Sequence, residues 1–214
     1  MAGGRPREFD IDRAIDLAMT VFWRKGYEAT TIPDLTKAMG ISPPSLYAAF
    51  GSKEQLFRRV LDRYDEGPSR FAPAALAAPT AREVIERLLR GAAAMMTSPR
   101  NPGGCLMVRS EASFGGGRED PLRREVVARL TAGEAALRRR LEAAREDGDL
   151  PASADCAALA RYVMTVNYGI AVQAATGASR EQLDRVIDGV VASLPRSPTG
   201  TKGRHGRRSN PRSS

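Results

Sequence analysis

The chain has 214 residues, 42% of them hydrophobic, which is enough for one or two domains with a sizeable core. Two cysteines are too few for a disulfide scaffold, and the N-terminus lacks the apolar run of a signal peptide, so we expect a cytoplasmic protein. Much of the formal net charge of +8 comes from residues 195–214, which hold six Lys and Arg residues and no Asp or Glu, so the charge alone is no evidence that the folded part binds DNA.

Apolar side chains recur at three- and four-residue steps, and no segment alternates as a strand does, so the sequence predicts an all-α protein. Capping residues and Gly or Pro stops place the helices at about 11–25, 32–39, 43–50, 53–66, 82–97, 105–113, 119–146, 153–176 and 179–194. We predict a flexible arm at 1–9, a first helical domain at 10–66, a larger helical domain at 67–194 and a disordered basic tail at 195–214.

Residues 32–50 contain two short helices joined by the tight turn 39–42, a pattern that is typical of a helix-turn-helix. We expect Gly40 to take the left-handed backbone conformation at the corner, which residues with a side chain rarely adopt. The helices would share a small apolar core of Ile32, Leu35, Ala38, Ile41, Leu46 and Phe50. Unrelated helical hairpins also contain Gly turns, so this pattern alone leaves a purely structural hairpin open.

A longer set of residues keeps one order and spacing across positions 11–60: Ala18, Phe22, Gly26-Tyr27, Thr30-Thr31, Ile32, Leu35, Ala38, Gly40, Ser42, Leu46-Tyr47, Phe50, Ser52-Lys53-Glu54 and Leu56-Phe57. In these residues the chain resembles the N-terminal DNA-binding domain of the TetR/AcrR family of transcriptional regulators. The resemblance implies that Thr31, Tyr47 and Lys53 contact the DNA backbone. The chain departs from the family pattern at Pro43-Pro44, so its base preference cannot be copied from relatives.

In a helix-turn-helix, the last helix enters the major groove with its N-terminal side chains at the base edges. The side chains that this geometry makes candidates for DNA contact are Ser42, Pro44, Ser45 and Tyr47. Thr31 and Lys53 stand at helix N-termini, where free amides and the helix dipole favour a phosphate. Arg5 and Arg7 of the arm are candidates for a flanking minor groove.

Each of these candidates has a purely structural alternative. Thr31 caps a helix in either case, Tyr47 is suited to a core position with a hydrated hydroxyl, and Lys53 to a solvated helix start. The two arginines of the arm fit a free tail equally well. Trp23 lies off the best apolar face of its helix, and we expect it to pack against another helix rather than to stack on a base.

The last two predicted helices carry apolar stripes, and the resemblance implies that they form the interface of a homodimer. A four-helix bundle built from two helices of each subunit would use the residues Leu159, Val163, Val166, Ile170, Leu183, Val186, Ile187 and Val190. The alternative is that these stripes pack within their own subunit.

The resemblance also implies a ligand pocket in the larger domain, for a small and largely apolar effector. The candidate lining residues are Met95, Met96, Cys105, Met107, Phe114, Tyr162, Met164 and Tyr168, because methionines adapt to varied apolar ligands. Plain core packing is the alternative for each of them. Cys105 is either a redox or soft-metal sensor or an ordinary buried thiol.

Nothing in the sequence predicts an enzyme, a cofactor or a metal site. The one histidine, His205, lies in the tail, and there is no nucleophile elbow, phosphate loop or metal-ligand spacing. We therefore predict a sequence-specific regulator of transcription, a repressor released from a palindromic DNA operator by a small molecule. The alternatives are an activator, a redox- or metal-responsive regulator, and a non-specific DNA-packaging protein, which would explain the basic tail but not the large second domain.

Overall fold

The computed structural model describes residues 9–115 and 120–195, and over these residues the chain forms α-helices and no strand, as predicted. The helices are α1 (Ile11–Lys25), α2 (Ile32–Met39), α3 (Pro43–Phe50), α4 (Lys53–Glu66), α5 (Phe71–Leu76), α6 (Ala81–Met96), α7 (Leu106–Ser113), α8 (Pro121–Glu146), α9 (Cys156–Ala175) and α10 (Arg180–Ser193). Arg5, Arg7 and the tail from residue 196 onwards lie outside the described residues. Within the described ranges, no helix is both long and apolar enough to cross a membrane.

The first four helices each begin at a side chain that caps them. Asp10, Thr31, Ser42 and Ser52 each accept a hydrogen bond from the backbone N–H three residues further along the chain. After α2, Gly40 has a φ of 68°, the left-handed conformation that turns the chain sharply into α3. Local residues therefore determine where these helices begin and end, and the predicted boundaries are confirmed.

The helix-turn-helix of α2 and α3 is supported by α1 and α4. Phe22 on α1, Leu35 on α2 and Leu46 on α3 are fully buried in one core. On the rim of that core, the guanidinium of Arg63 donates two hydrogen bonds of 2.8 and 3.0 Å to the carboxylate of Asp16, which ties α4 to α1. This packing fixes the angle at which α3 is presented to solvent.

The remaining helices pack around α6, except for α7, which packs mainly against α1 and α8. Helices α5, α9 and α10 contact α6, and α8 packs along α9. The short helix α5 was not predicted, and its position depends on a long-range contact: a Cβ built on Gly91 would lie 2.4 Å from the ring of Phe71. The missing side chain at Gly91 therefore provides the space in which Phe71 docks α5 onto α6.

Candidate nucleic-acid interface and ligand cavity

Helix α3 exposes its N-terminal side chains while two residues at its back hold it in place. Leu46 and Phe50 are buried, whereas Pro44 and Tyr47 are exposed, Tyr47 to 49%. The phenol hydroxyl of Tyr47 makes no hydrogen bond to any of the described residues, so it is available to a phosphate or a base. The predicted DNA contacts of α3 therefore lie on a surface that a duplex can reach.

The two serines at the start of α3 are partly engaged with each other. The hydroxyl groups of Ser42 and Ser45 lie 2.9 Å apart, and Ser42 Oγ also accepts a hydrogen bond from the backbone N–H of Ser45. A hydroxyl that caps its helix in this way keeps a lone pair or its own proton for a base edge. Cap and base contact are therefore compatible at this position.

At the start of α2, the donors of Thr31 are already occupied. The carboxylate of Asp34 accepts hydrogen bonds from the Thr31 N–H, at 3.0 Å, and from its hydroxyl, at 2.8 Å. Hydrogen bonds from Lys25 and Thr31 hold the pKa of Asp34 well below its usual range. A permanent negative charge therefore stands where the sequence suggested a phosphate contact, and a phosphate oxygen would have to displace it or approach beside it.

Lys53, at the start of α4, acts as a clamp within the chain. Its ammonium donates to the backbone carbonyls of Tyr27, at 2.9 Å, and Thr30, at 2.8 Å, and lies 4.2 Å from the centroid of the Tyr27 ring. Burial lowers the pKa of Lys53. Two of its three N–H donors are used in holding the α1–α2 turn, so at most one is free for a phosphate. The solvated lysine that the sequence offered as the alternative would have had all three donors free.

The predicted dimer stripe lies largely inside the subunit. Five of its eight side chains are buried against the chain's own core: Val163, Ile170, Leu183, Ile187 and Val190. The prediction that they face a second copy is wrong, because side chains that are already covered cannot also contact a partner. Of the other three, Leu159 and Val166 are half-buried and Val186 is 51% exposed.

A different face of α9 and α10 is open. Tyr162, Val172 and Val186 are large apolar residues with 44 to 53% of their surface exposed. Gly169, between Tyr162 and Val172, and Gly189, three residues after Val186, are also exposed, and glycines allow two helices to approach closely. The structure thus leaves three large apolar side chains open on the outer side of these two helices; Val186 belongs to the predicted stripe, whereas Tyr162 and Val172 do not.

A cavity of about 170 Å³ lies between α4, α5, α6, α8 and α9. Six of the eight predicted pocket residues line it: Met95, Met96, Cys105, Met107, Met164 and Tyr168. The other two do not. Phe114 packs against the ring of Tyr27, with centroids 5.4 Å apart, and the side chain of Tyr162 points to solvent. For Phe114 and Tyr162 the prediction is therefore wrong, because their neighbours are the α1–α2 turn and the open face of α9.

Sequence analysis missed the residues that α4 and α8 contribute to this cavity. Tyr64 and Asp65 come from the end of α4, and Arg129 comes from α8. Arg129 Nη1 is 2.7 Å from Asp65 Oδ2, so the two charges in the wall are paired. No sequence pattern pointed to these residues, since Tyr64 fits an amphipathic helix and the other two look like ordinary surface charges.

The cysteine in the cavity wall is a neutral thiol. The hydroxyl of Tyr64 lies 3.4 Å from Cys105 Sγ and 3.7 Å from Met95 Sδ. Burial raises the pKa of the Cys105 thiol and also that of Tyr64. Since the thiolate is the reactive and metal-binding form, this environment favours the ordinary buried thiol over a sensor. Across 9–115 and 120–195, no three His, Cys, Asp or Glu side chains are grouped as metal ligands.

The cavity and the helix-turn-helix are connected through α1 and α4. Trp23 is buried against Tyr64, with ring centroids 5.0 Å apart, as the sequence suggested for a packing residue. On the other side of α4, Arg58 pairs with Glu125 of α8 at 2.8 Å. Helix α4 therefore touches the cavity at its C-terminal end and the α1–α2 turn, through Lys53, at its N-terminal end.

Both parts of the chain match families of bacterial regulators. Residues 14–60 match the family described as bacterial regulatory proteins of the tetR family, and residues 81–190 match the tetracyclin repressor-like C-terminal domain. The chain is 35% identical to the HTH-type transcriptional repressor ComR of Escherichia coli (strain K12) over 188 residues, which are 86% of this chain and 88% of ComR. It is 52% identical to the HTH-type transcriptional repressor BdcR of the same organism over 61 residues, 28% of this chain and 31% of BdcR.

A solved structure gives the same result for the fold. A cysteine mutant of the TetR family transcriptional regulator CifR, complexed with 26-base-pair double-strand operator DNA, matches with a TM-score of 0.84 and 42% identity, over 89% of this chain and 100% of that chain. The chain belongs to the TetR family of transcriptional regulators. Its helix-turn-helix is a DNA-binding element, and α6–α9 with most of α10 fall within the match to the C-terminal domain.

Proposed function

We propose that this protein is a homodimeric repressor that binds a palindromic DNA operator and is released from it by a small molecule. The observation that carries the proposal is the shared position of α4, whose Tyr64 and Asp65 form part of the cavity wall and whose Lys53 clamps the α1–α2 turn. ComR and BdcR are named as repressors, which supports repression rather than activation. Operator binding requires access to the chromosome, so the proposal places the protein in the cytoplasm.

On the DNA side, α3 would enter the major groove with its exposed N-terminal half at the base edges. Pro44 offers an apolar contact, for example to a thymine methyl group, and Ser45 a hydroxyl. Tyr47, exposed and without a partner in the described part of the chain, would bind a phosphate. These groups all lie on α1–α4, and Gly67 ends α4.

The second copy would dock on the open face of α9 and α10. One helix-turn-helix per chain reads one half-site, and a two-fold dimer therefore reads a palindrome with half-site centres about one helical turn, or a multiple of it, apart. Tyr162, Val172 and Val186 supply apolar surface on that face, and the exposed Gly169 and Gly189 permit close helix packing. Of the residues that the sequence suggested for the interface, Val186 is kept, and Tyr162 and Val172 take the place of the buried ones.

A ligand in the cavity would act by favouring one of two positions of α4. Tyr64 and Asp65 would move with the ligand, and the hydrogen bonds of Lys53 would pass that motion to the α1–α2 turn. The ligand must bind the non-operator state more tightly, because equal affinity for both states shifts nothing. By linkage, operator DNA must then weaken ligand binding by the same factor.

The proposal is tested by selecting bound DNA from a random pool with the full chain and footprinting the result. We expect one near-palindromic motif and a protected stretch over it. Transcription from a promoter that carries the motif should fall when the protein is added. A protein that protects no preferred site would be a packaging protein, and increased transcription would make it an activator; either result contradicts the proposal.

A further inference from the structure

The cavity between α4, α6, α8 and α9 has the size of a single ring. Its volume is about 170 Å³. An apolar cavity of about 150 Å³ in another protein holds one benzene molecule, so this one has room for a ring with one small substituent. A long acyl chain or a fused multi-ring compound would not fit without rearranging the surrounding helices.

One polar atom in the wall has no partner. Asn167 lines the cavity, and its Oδ1 is buried and accepts no hydrogen bond. A buried acceptor that gives up water without gaining a donor costs free energy, and a ligand that brings a donor recovers it. Asn167 lines the cavity from α9, so a ligand with an O–H or N–H group would supply the missing donor once the amide turns towards it.

The rest of the wall suits a flat aromatic body. Four methionine side chains face the cavity, namely Met95, Met96, Met107 and Met164. Thioether sulfurs make favourable contacts with aromatic rings and adapt their shape to them. Phe71 and Tyr168 supply aromatic surface from α5 and α9. A saturated chain would gain only the apolar part of this environment.

The electrostatics of the wall favour a neutral ligand. The two charged residues that line the cavity, Asp65 and Arg129, are paired with each other at 2.7 Å. Tyr64 and Cys105 are both protonated at neutral pH, since burial raises the pKa of each group. An anion placed there would lose its hydration and find no free cation among the lining residues.

We propose that the effector is a small neutral aromatic alcohol of the phenol type, which donates its hydroxyl hydrogen to Asn167 Oδ1 and packs its ring among the methionines. This inference rests on the proposed ligand-binding role of the second domain and specifies its chemistry.

The test is titration calorimetry of the full chain with four probes of similar size. Phenol has a hydroxyl donor, anisole has an oxygen that only accepts, toluene has neither, and benzoate is charged. We expect phenol to bind about ten-fold tighter than toluene and anisole, the ratio typical for one buried hydrogen bond, and benzoate to bind most weakly. Equal binding of anisole and phenol, tighter binding of benzoate, or no binding of any probe would overturn the proposal.

Two variants separate the hydrogen bond from the shape of the cavity. In Asn167→Leu, which keeps the volume and removes the acceptor, phenol and toluene should bind within about two-fold of each other, while toluene binding is retained. Gln173→Leu is the matched control, because Gln173 is exposed on the same helix and does not line the cavity. A preference for phenol that survives in Asn167→Leu would show that Asn167 is not the acceptor. Retained toluene binding shows that the variant is folded.

A second measurement separates this inference from the proposed function. Operator binding is followed by fluorescence anisotropy with and without phenol. If phenol binds but operator affinity does not change, the aromatic-alcohol proposal is supported and the proposal that this ligand releases the operator is contradicted. If another small molecule releases operator while phenol shows no binding, the regulatory proposal stands and the aromatic-alcohol proposal is wrong.

Discussion

The indole of Trp23 donates a hydrogen bond from Nε1 to the carbonyl oxygen of Gly104, over 3.2 Å, and so joins α1 to the loop that leads into the cavity wall at Cys105. Gly104 has a φ of 70°, and a Cβ at that position would lie 2.9 Å from the carbonyl oxygen of Ala171. The loop can approach α1 and α9 at the same time only because this residue has no side chain.

We expect Trp23→Phe to weaken the connection between cavity and DNA. The variant loses the hydrogen bond to Gly104 and leaves a void beside Tyr64, which should lower the free energy of unfolding by about 1–3 kcal/mol. Chemical denaturation measures that change. The ratio of operator affinities with and without ligand should also move towards one. An unchanged ratio in a destabilised variant would mean that Trp23 is only a packing residue.

Tyr47→Phe should weaken binding to every DNA sequence by a similar factor, about five-fold for one lost hydrogen bond to phosphate. Stability should not change, because the hydroxyl has no partner in the described part of the chain and the side chain is exposed. Binding of the selected operator and of random DNA is compared by anisotropy. A loss confined to one sequence would place Tyr47 at a base edge instead.

Lys53→Met should act mainly on folding. It retains the apolar stem and removes the ammonium that holds the carbonyls of Tyr27 and Thr30, so we expect a loss of about 1–2 kcal/mol of unfolding free energy. With one donor left for DNA, the slope of log affinity against log salt should fall by about one unit or less. If the free energy of unfolding does not change while the salt slope falls by a full unit, Lys53 acts only as a phosphate contact and not as a clamp.

Asp34→Asn should increase DNA affinity and make the salt slope steeper by about one unit, because it removes a negative charge beside Thr31 and frees Lys25. The pKa of Asp34 is lowered in the folded protein, so its contribution to stability is present at neutral pH and is lost only as the pH falls below its ordinary value of 3.8. Glu146→Gln, an exposed carboxylate at the end of α8, is the control. Equal effects of both changes would indicate only a change in net charge.

Val186→Glu should convert the dimer to a monomer, because it places an unpaired charge in the proposed interface of α9 and α10. Light scattering coupled to gel filtration measures the mass. Val127→Glu, at a valine that is 38% exposed on α8, should leave the dimer intact. A wild-type protein that is already monomeric at micromolar concentration, or a dimer that tolerates Val186→Glu, would contradict the proposed face.

The sequence was sufficient for the positions of nine helices because nearly all are bounded by caps and stops a few residues away in the chain; α7, whose N-cap Cys105 makes no side-chain cap hydrogen bond, follows a Gly and Pro break instead. Helix α5 was not predictable in this way, since it depends on the distant contact between Phe71 and Gly91. The sequence also did not show which apolar side chains of α9 are covered within the subunit, for a related reason. Helix α9 is apolar on two sides, and periodicity cannot tell that Val163 faces inward while Val172 faces outward.

Only part of the cavity wall could be predicted from the sequence, for a different reason. The methionines and Cys105 were predicted because their residue types suit a pocket. Tyr64 and Arg129 were not, since their part in the wall arises where two helices that are distant in sequence meet. In the same way, the sequence identified Thr31 as a cap, but only the structure shows that Asp34 occupies both its donors.

The clamp at Lys53 gives α4 the mechanics of a lever. Its first turn is tied to the carbonyls of Tyr27 and Thr30, and Tyr64, eleven residues along, meets the cavity. At 1.5 Å per residue that arm is about 16 Å long, so a ligand that pushes Tyr64 aside by about 1 Å rotates the helix by about 3–4° around Lys53. In a two-fold dimer the symmetry axis repeats this rotation in the second subunit, so any displacement of α3 away from the axis changes the distance between the two α3 helices twice over.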